Sequence, residues 1–217
     1  MFLAGRTLAK LDVVAQEVSA AGGVAKVAAV DALDQEAVEQ HADEVVKAAG
    51  SFDISFNAIS INDVQGTPLV DLVLEDFLTP IVEAARTHFI TATAAARRMT
   101  AQGSGVIVML SSSAARESRH RMGGFNLACA AVEALTRSLA GEVGRHGVRV
   151  VALRPNFTPE TTPGISESDI QPLLKDTLLG RLPRLADVAS SAAFVASDGA
   201  GSMTGAVMNL TCGAIVD

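Results

Sequence analysis

The chain has 217 residues, 49% of them hydrophobic, enough to build the core of one domain and far from the composition of a disordered segment. Seventeen Lys and Arg against 24 Asp and Glu give a net charge of −7 without any basic run, which argues against a nucleic-acid partner. There is no tyrosine and no tryptophan, so any mechanism that needs a phenol is excluded at the outset.

In chain order, short apolar runs at 2–4, 24–30, 52–57, 105–111, 148–153 and 206–210 read as strands. Helical patterns alternate with them at about 7–20, 34–49, 74–101, 124–143 and 185–197. In 34–49, Val38, His41, Ala42, Val45, Val46 and Ala49 recur at three- and four-residue steps, Asp34 can cap the start and Gly50 ends the pattern. In 124–143, Ala128, Ala131, Val132, Leu135 and Leu139 form a comparable stripe of small and apolar residues. Continuous apolar strands separated by helices predict a doubly wound α/β fold, Rossmann-like, with a mostly parallel sheet covered on both faces. The stretch PNFTPETTPG at 155–164 reads as a long loop beyond a strand end, where open parallel sheets place their ligands.

Cys129 and Cys212 lie 83 residues apart with no CxxC, which predicts neither a disulfide framework nor a zinc knuckle and fits a reducing compartment. The first ten residues, MFLAGRTLAK, are charged too early for a signal peptide, and no apolar run reaches the length of a membrane span. A cytoplasmic location is expected, with no membrane partner and no metal. GxSxG, HExxH and GxxxxGK are all absent.

Four segments in order carry a family resemblance: FNAI at 56–59, GVIVMLSSS from 105, VRVVALRPN from 148, and GRLPRLADVASSAAFVASDGAGSMTGAVMNLTCGAIVD at the end. Together they resemble the short-chain dehydrogenase/reductase family over nearly the whole chain. The resemblance implies one Rossmann-like domain over 1–217 and nicotinamide-linked carbonyl or alcohol chemistry. In that family a serine orients the substrate carbonyl, a tyrosine transfers the proton, and a lysine four residues on lowers the tyrosine's pKa and binds the ribose. An asparagine in the preceding long helix completes a proton relay.

By the family's spacing the serine is Ser112, the tyrosine position is Phe125, the lysine position is Cys129 and the asparagine position is Ala84. Only the serine survives. Elimination gives the same answer, because no lysine occurs between Lys47 and Lys175 and no asparagine between Asn62 and Asn126. His120, in the loop RESRHRM, is the one histidine between Ser112 and Phe125 and could replace the lost proton donor. The plainer reading makes it part of an exposed polar loop. Arg116, Arg119 and Arg121 could receive an anionic substrate or merely keep that loop solvated. Cys129 reads most plainly as an inert core thiol, and more sharply as a thiol facing Ser112 in an altered pocket.

None of the 18 glycines forms the GxxxGxG turn that holds a pyrophosphate in the family. The first strand-helix unit, about 30 residues, is therefore expected to be missing, through an overlooked upstream start or a shortened protein. Strands 2–4 and 52–57 would then each carry an unpaired edge unless they meet. The resemblance places Arg6 where an arginine pairs with a 2′-phosphate, favouring NADP(H) over NAD(H); a solvated arginine is the plainer alternative. It places Asp31 beside adenine, Asn57 and Ala58 along the ribose, and Pro155 and Asn156 at the turn over the nicotinamide. Ile59 and Asn156 stand where the family has glycines, Asn156 being a residue that tolerates positive φ.

Three readings follow: an NADP(H)-linked oxidoreductase that does not use the usual Tyr/Lys route, a catalytically silent relative that binds a small molecule or builds a subunit assembly, and a lyase or isomerase reusing the pocket. A homodimer or homotetramer through helices 74–101 and 124–143 is expected from the resemblance and from their widely spread apolar residues.

Overall fold

A computed structural model describes residues 1–217. Six strands, β1 (Phe2–Gly5), β2 (Lys26–Ala29), β3 (Ile54–Asn57), β4 (Gly105–Leu110), β5 (Val148–Pro155) and β6 (Val207–Leu210), alternate with six helices. The helices are α1 (Leu8–Ala20), α2 (Gln35–Ala49), α3 (Leu74–Gln102), α4 (Phe125–Val143), α5 (Glu167–Lys175) and α6 (Leu185–Ala196). All strand pairs are parallel.

The ladder is divided. β1 pairs only with β2, while β3, β4, β5 and β6 form a separate four-stranded sheet in that order. The expected single sheet is therefore two, and β1 and β3 each keep an edge without a ladder partner, as the sequence led us to anticipate if they failed to meet.

The four-stranded sheet is covered on both faces, which explains why β4 and β5 read as unbroken apolar runs. Ile107, Met109, Val148 and Val150 face α3 and α4, packing with Ala92, Met99, Ala128 and Val132. Val106, Val108, Val151 and Leu153 face Val195 of α6. α2 joins the first layer through Val38 and Ala42, which meet Ile90 and Ala94 of α3. The Asp34 side chain accepts from the Ala37 amide at 3.0 Å, and Gly50 ends α2 in the left-handed region.

Two glycines set how closely elements approach. A Cβ on Gly124 would lie 1.9 Å from the Phe77 carbonyl oxygen, so the start of α4 can press onto α3 only without a side chain there. Gly147, at φ 77°, would bring a Cβ within 2.2 Å of the Gly103 oxygen. α5 lies between the predicted strand 148–153 and the predicted helix 185–197, where the sequence pattern predicts no element. Ser166 caps it by accepting from the Asp169 amide at 3.2 Å.

Candidate functional site

The carboxyl ends of β3, β4 and β5 lie side by side along one edge of the sheet, the edge where open parallel sheets form their ligand cleft. Ser112 lies just past β4 and caps a short 3₁₀ turn over Ser113–Ala115. Its Oγ accepts from the Ala114 amide at 3.3 Å, and its hydroxyl proton is not committed to any protein acceptor. Cys129 is buried in the second turn of α4, and its carbonyl accepts from the Ser111 hydroxyl at 3.3 Å. Phe125 opens α4 one turn earlier and is half-buried.

Burial, then the negative charges of Glu133 and Asp63, push the Cys129 thiol up to about 12. It is a neutral thiol at neutral pH and cannot supply the fixed positive charge of the lysine it replaces. Ala84 is fully enclosed in α3 and adds no polar atom.

Below the cleft lies an ionic cluster that sequence reading missed. Arg154, at the end of β5, is 3% exposed and donates Nε to Glu133 Oε1 at 2.7 Å and a terminal nitrogen to Oε2 at 2.8 Å. Its other terminal nitrogen bonds both Asp217 carboxylate oxygens at 2.7 Å. Ser111 completes the cluster, donating to Glu133 Oε1 at 3.1 Å. The arginine at the buried end of the apolar run VRVVALRP was the available signal, since a buried guanidinium calls for an acid, whereas Arg149 in the same run reaches the Ser197 and Met203 carbonyls.

The remaining candidates separate. His120 is not presented to Ser112 as a free donor: its Nε2 lies 3.0 Å from Asp176 Oδ2. Arg119 bonds Asp176 Oδ1 at 2.6 Å, and Arg116 reaches Asp217. The arginine cluster is thus neither simply solvated nor an open anion site. Asn156 does not use positive φ; its side-chain oxygen accepts from the Phe157 amide at 2.8 Å and the Ser113 hydroxyl at 3.1 Å. Pro155 ends β5 beside it.

Of the cofactor candidates, Arg6 is exposed just beyond β1 and Asp31 closes a turn by accepting from the Leu33 amide at 3.0 Å. Asn57 ends β3 in a buried position, and its side-chain amide nitrogen has no hydrogen-bond partner. A buried orphan donor at a strand's carboxyl end calls for an acceptor from outside the chain. Ala58, next to it, is exposed. Of these residues, Asn57 carries the structural sign of a fit to a dinucleotide, since its orphan amide could bond a ribose oxygen. No group of three or more His, Cys, Asp or Glu is arranged to hold a metal.

A family model described as enoyl-(acyl carrier protein) reductase matches residues 3–214. A 3alpha-hydroxysteroid dehydrogenase from Mediterraneibacter gnavus is 32% identical over 168 residues, 77% of this chain. That match spans 66% of the relative, a little under two thirds of its length. A short-chain type dehydrogenase/reductase from Mycobacterium ulcerans superposes with a TM-score of 0.91 at 26% identity, covering 98% of this chain and 79% of that one. A gluconate 5-dehydrogenase from Burkholderia cenocepacia, in complex with NADP and tartrate, shares the fold at a TM-score of 0.86 and 22% identity, covering 97% and 83% of the two chains. With a serine at the end of β4, a helix starting 13 residues later, and a family model that spans almost every residue, the chain belongs to the short-chain dehydrogenase/reductase family of oxidoreductases.

Proposed function

We propose that this chain is an NADP(H)-linked oxidoreductase acting on a small carbonyl or alcohol, without the tyrosine–lysine route. The observation that carries this reading is Ser112, whose hydroxyl proton is free to be donated to a carbonyl oxygen at the mouth of the cleft. Asn57, with Ala58 beside it, would hold the ribose end, Pro155 and Asn156 the nicotinamide end, and Arg6 a 2′-phosphate. The bound dinucleotide supplies hydride chemistry; the chain supplies orientation and a polarising hydrogen bond. Proton delivery falls to water or the substrate, because Phe125 carries no exchangeable proton and the Cys129 thiol is held neutral.

Calorimetric titration tests this. NADPH is expected to bind about tenfold or more tightly than NADH, and Arg6→Ala to abolish the difference. Absence of binding for both at millimolar concentration overturns the proposal. The same buried thiol and missing ring hydroxyl favour a second reading, a catalytically silent relative that keeps the cleft for a ligand. NADPH binding without turnover of any small carbonyl would select it.

A second copy of the chain is the proposed partner. Leu74, Leu78, Val82 and Phe89 are exposed along α3, with Phe89 at 55%. Beside Phe89 a groove of about 430 Å³ runs between α3 and α4, lined by Ala84, Ala85, Ala131, Val132 and Leu135. A ring and a groove side by side are self-complementary about a twofold axis, each Phe89 entering the other copy's groove. Solution scattering should return a dimer or tetramer, and Phe89→Glu should reduce it to a monomer. A monomeric native chain would refute the pairing. No helix is long and apolar enough to cross a membrane, and both cysteines are free, in keeping with a proposed cytoplasmic location.

A further inference from the structure

We propose that Arg119 and His120 form a binding site for the carboxylate of a small organic acid, and that Asp176 occupies this site in the structure described. The loop carrying them joins the Ser112 turn to the start of α4, at the carboxyl end of β4. Asp176 comes from the other rim, at the C-terminal cap of α5. Its two oxygens are divided between the two donors: Oδ1 accepts from an Arg119 terminal nitrogen at 2.6 Å, and Oδ2 lies 3.0 Å from His120 Nε2. This one-donor-per-oxygen arrangement suits a planar, two-oxygen anion.

The loop is held in an unfavourable backbone to present these donors. His120 and Arg121 are consecutive non-glycine residues in the left-handed region, at φ 67° and 50°. Such strain persists only where surrounding contacts enforce it, and it concentrates at ligand clamps and switch segments. Two sets of contacts enforce it here. The Gly66 amide donates to the Arg121 carbonyl at 2.9 Å, and Glu117 Oε1 accepts from both the Arg119 amide and its Nε. Glu117 thereby aims Arg119 without filling its outward-facing nitrogen, which Asp176 takes. Arg119 is 51% exposed and His120 31%, so an incoming anion can reach both.

An acid that binds here displaces Asp176 and releases α5 from the loop, so one exchange of carboxylates both seats the ligand and opens the cleft. Gly213 packs against Leu178, and the Leu179 amide donates to the Cys212 carbonyl at 3.1 Å, so α5 stays hinged at its C-terminal side when Asp176 lets go. The substrate of the oxidoreductase would then be a keto or hydroxy acid. That assignment rests on the cleft reading above, while the site itself is tested by binding alone, so failure of NADPH to bind and failure of the acid to bind are separate results.

Succinate, inorganic phosphate and butane-1,4-diol are the probes for calorimetry on the full chain. Asp176→Ala is expected to bind succinate about tenfold more tightly than the native chain, and adding Arg119→Gln is expected to remove that gain. The diol should not bind, and phosphate should bind more weakly than succinate. Should Asp176→Ala fail to fold, the native chain provides the readout: succinate should speed protease cleavage within 167–180, whereas the diol should not. Unchanged succinate affinity in Asp176→Ala, a gain that survives Arg119→Gln, phosphate binding as tightly as succinate, or cleavage indifferent to succinate would each overturn the assignment.

Discussion

Phe125→Tyr combined with Cys129→Lys should raise NADPH-dependent turnover of a model aldehyde by about 100-fold or more, the range that a positioned proton donor contributes. Both positions lie on one face of α4, four residues apart, so the new hydroxyl and ammonium would stack along the helix toward the cleft. Glu133 and Asp63, which now disfavour a thiolate, would favour an ammonium in the same place. Phe125→Tyr alone should gain much less, because its hydroxyl would keep a pKa near 10. Steady-state kinetics with NADPH at saturation would check this. An inert double variant that still binds NADPH would point to the catalytically silent reading, with Ala84, where the relay asparagine belongs, as a further obstacle.

Arg154→Ala should cost about 3–5 kcal/mol of stability, the largest effect expected of any single side chain outside the apolar core. The substitution strands Glu133, only 5% exposed, without its bidentate partner, and frees the Asp217 carboxylate that ties residues 209–217 to the end of β5. Replacing both members with apolar residues, Glu133→Leu with Arg154→Met, should recover most of that loss, because no buried charge is then left alone. Urea unfolding followed by far-UV circular dichroism would measure both. A cost below about 1 kcal/mol for Arg154→Ala would show that water solvates the cluster.

Acid should loosen the same end of the chain. The Arg154 hydrogen bonds hold the Asp217 carboxyl below its ordinary value, so its contribution is complete above the usual carboxylate range. It is lost only as the pH falls through the lowered value. Because Asp217 is itself partly exposed, the effect is smaller than that of removing Arg154.

The proposed site residues that the resemblance gave, Ser112, Phe125 and Cys129, are local in sequence, and the helix that starts at Phe125 turns the interval from 125 to 129 into a shared face. The contacts that missed detection bridge long intervals. Glu133 to Arg154 joins helix and strand across 21 residues, and Arg154 to Asp217 spans 63. Asp176 lies 56 residues from His120, at the C-terminal cap of α5, a helix with a weak sequence pattern. ESDIQPLLK is short and polar and contains Pro172, so its periodicity is too weak to separate from a loop.

By itself the sequence determined the alternation of strands and helices, the parallel character of the sheet, the family, and the absence of a phenol and an ammonium where that family keeps them. These follow from residue type and short-range period, which survive without knowledge of neighbours. Tertiary structure alone decided that β1–β2 stands apart from the main sheet, that the Cys129 thiol is held neutral by burial, and that Asp176 and Asp217 are each engaged by arginines. Burial and pairing of charge depend on which distant segments meet, and a one-dimensional pattern does not carry that information.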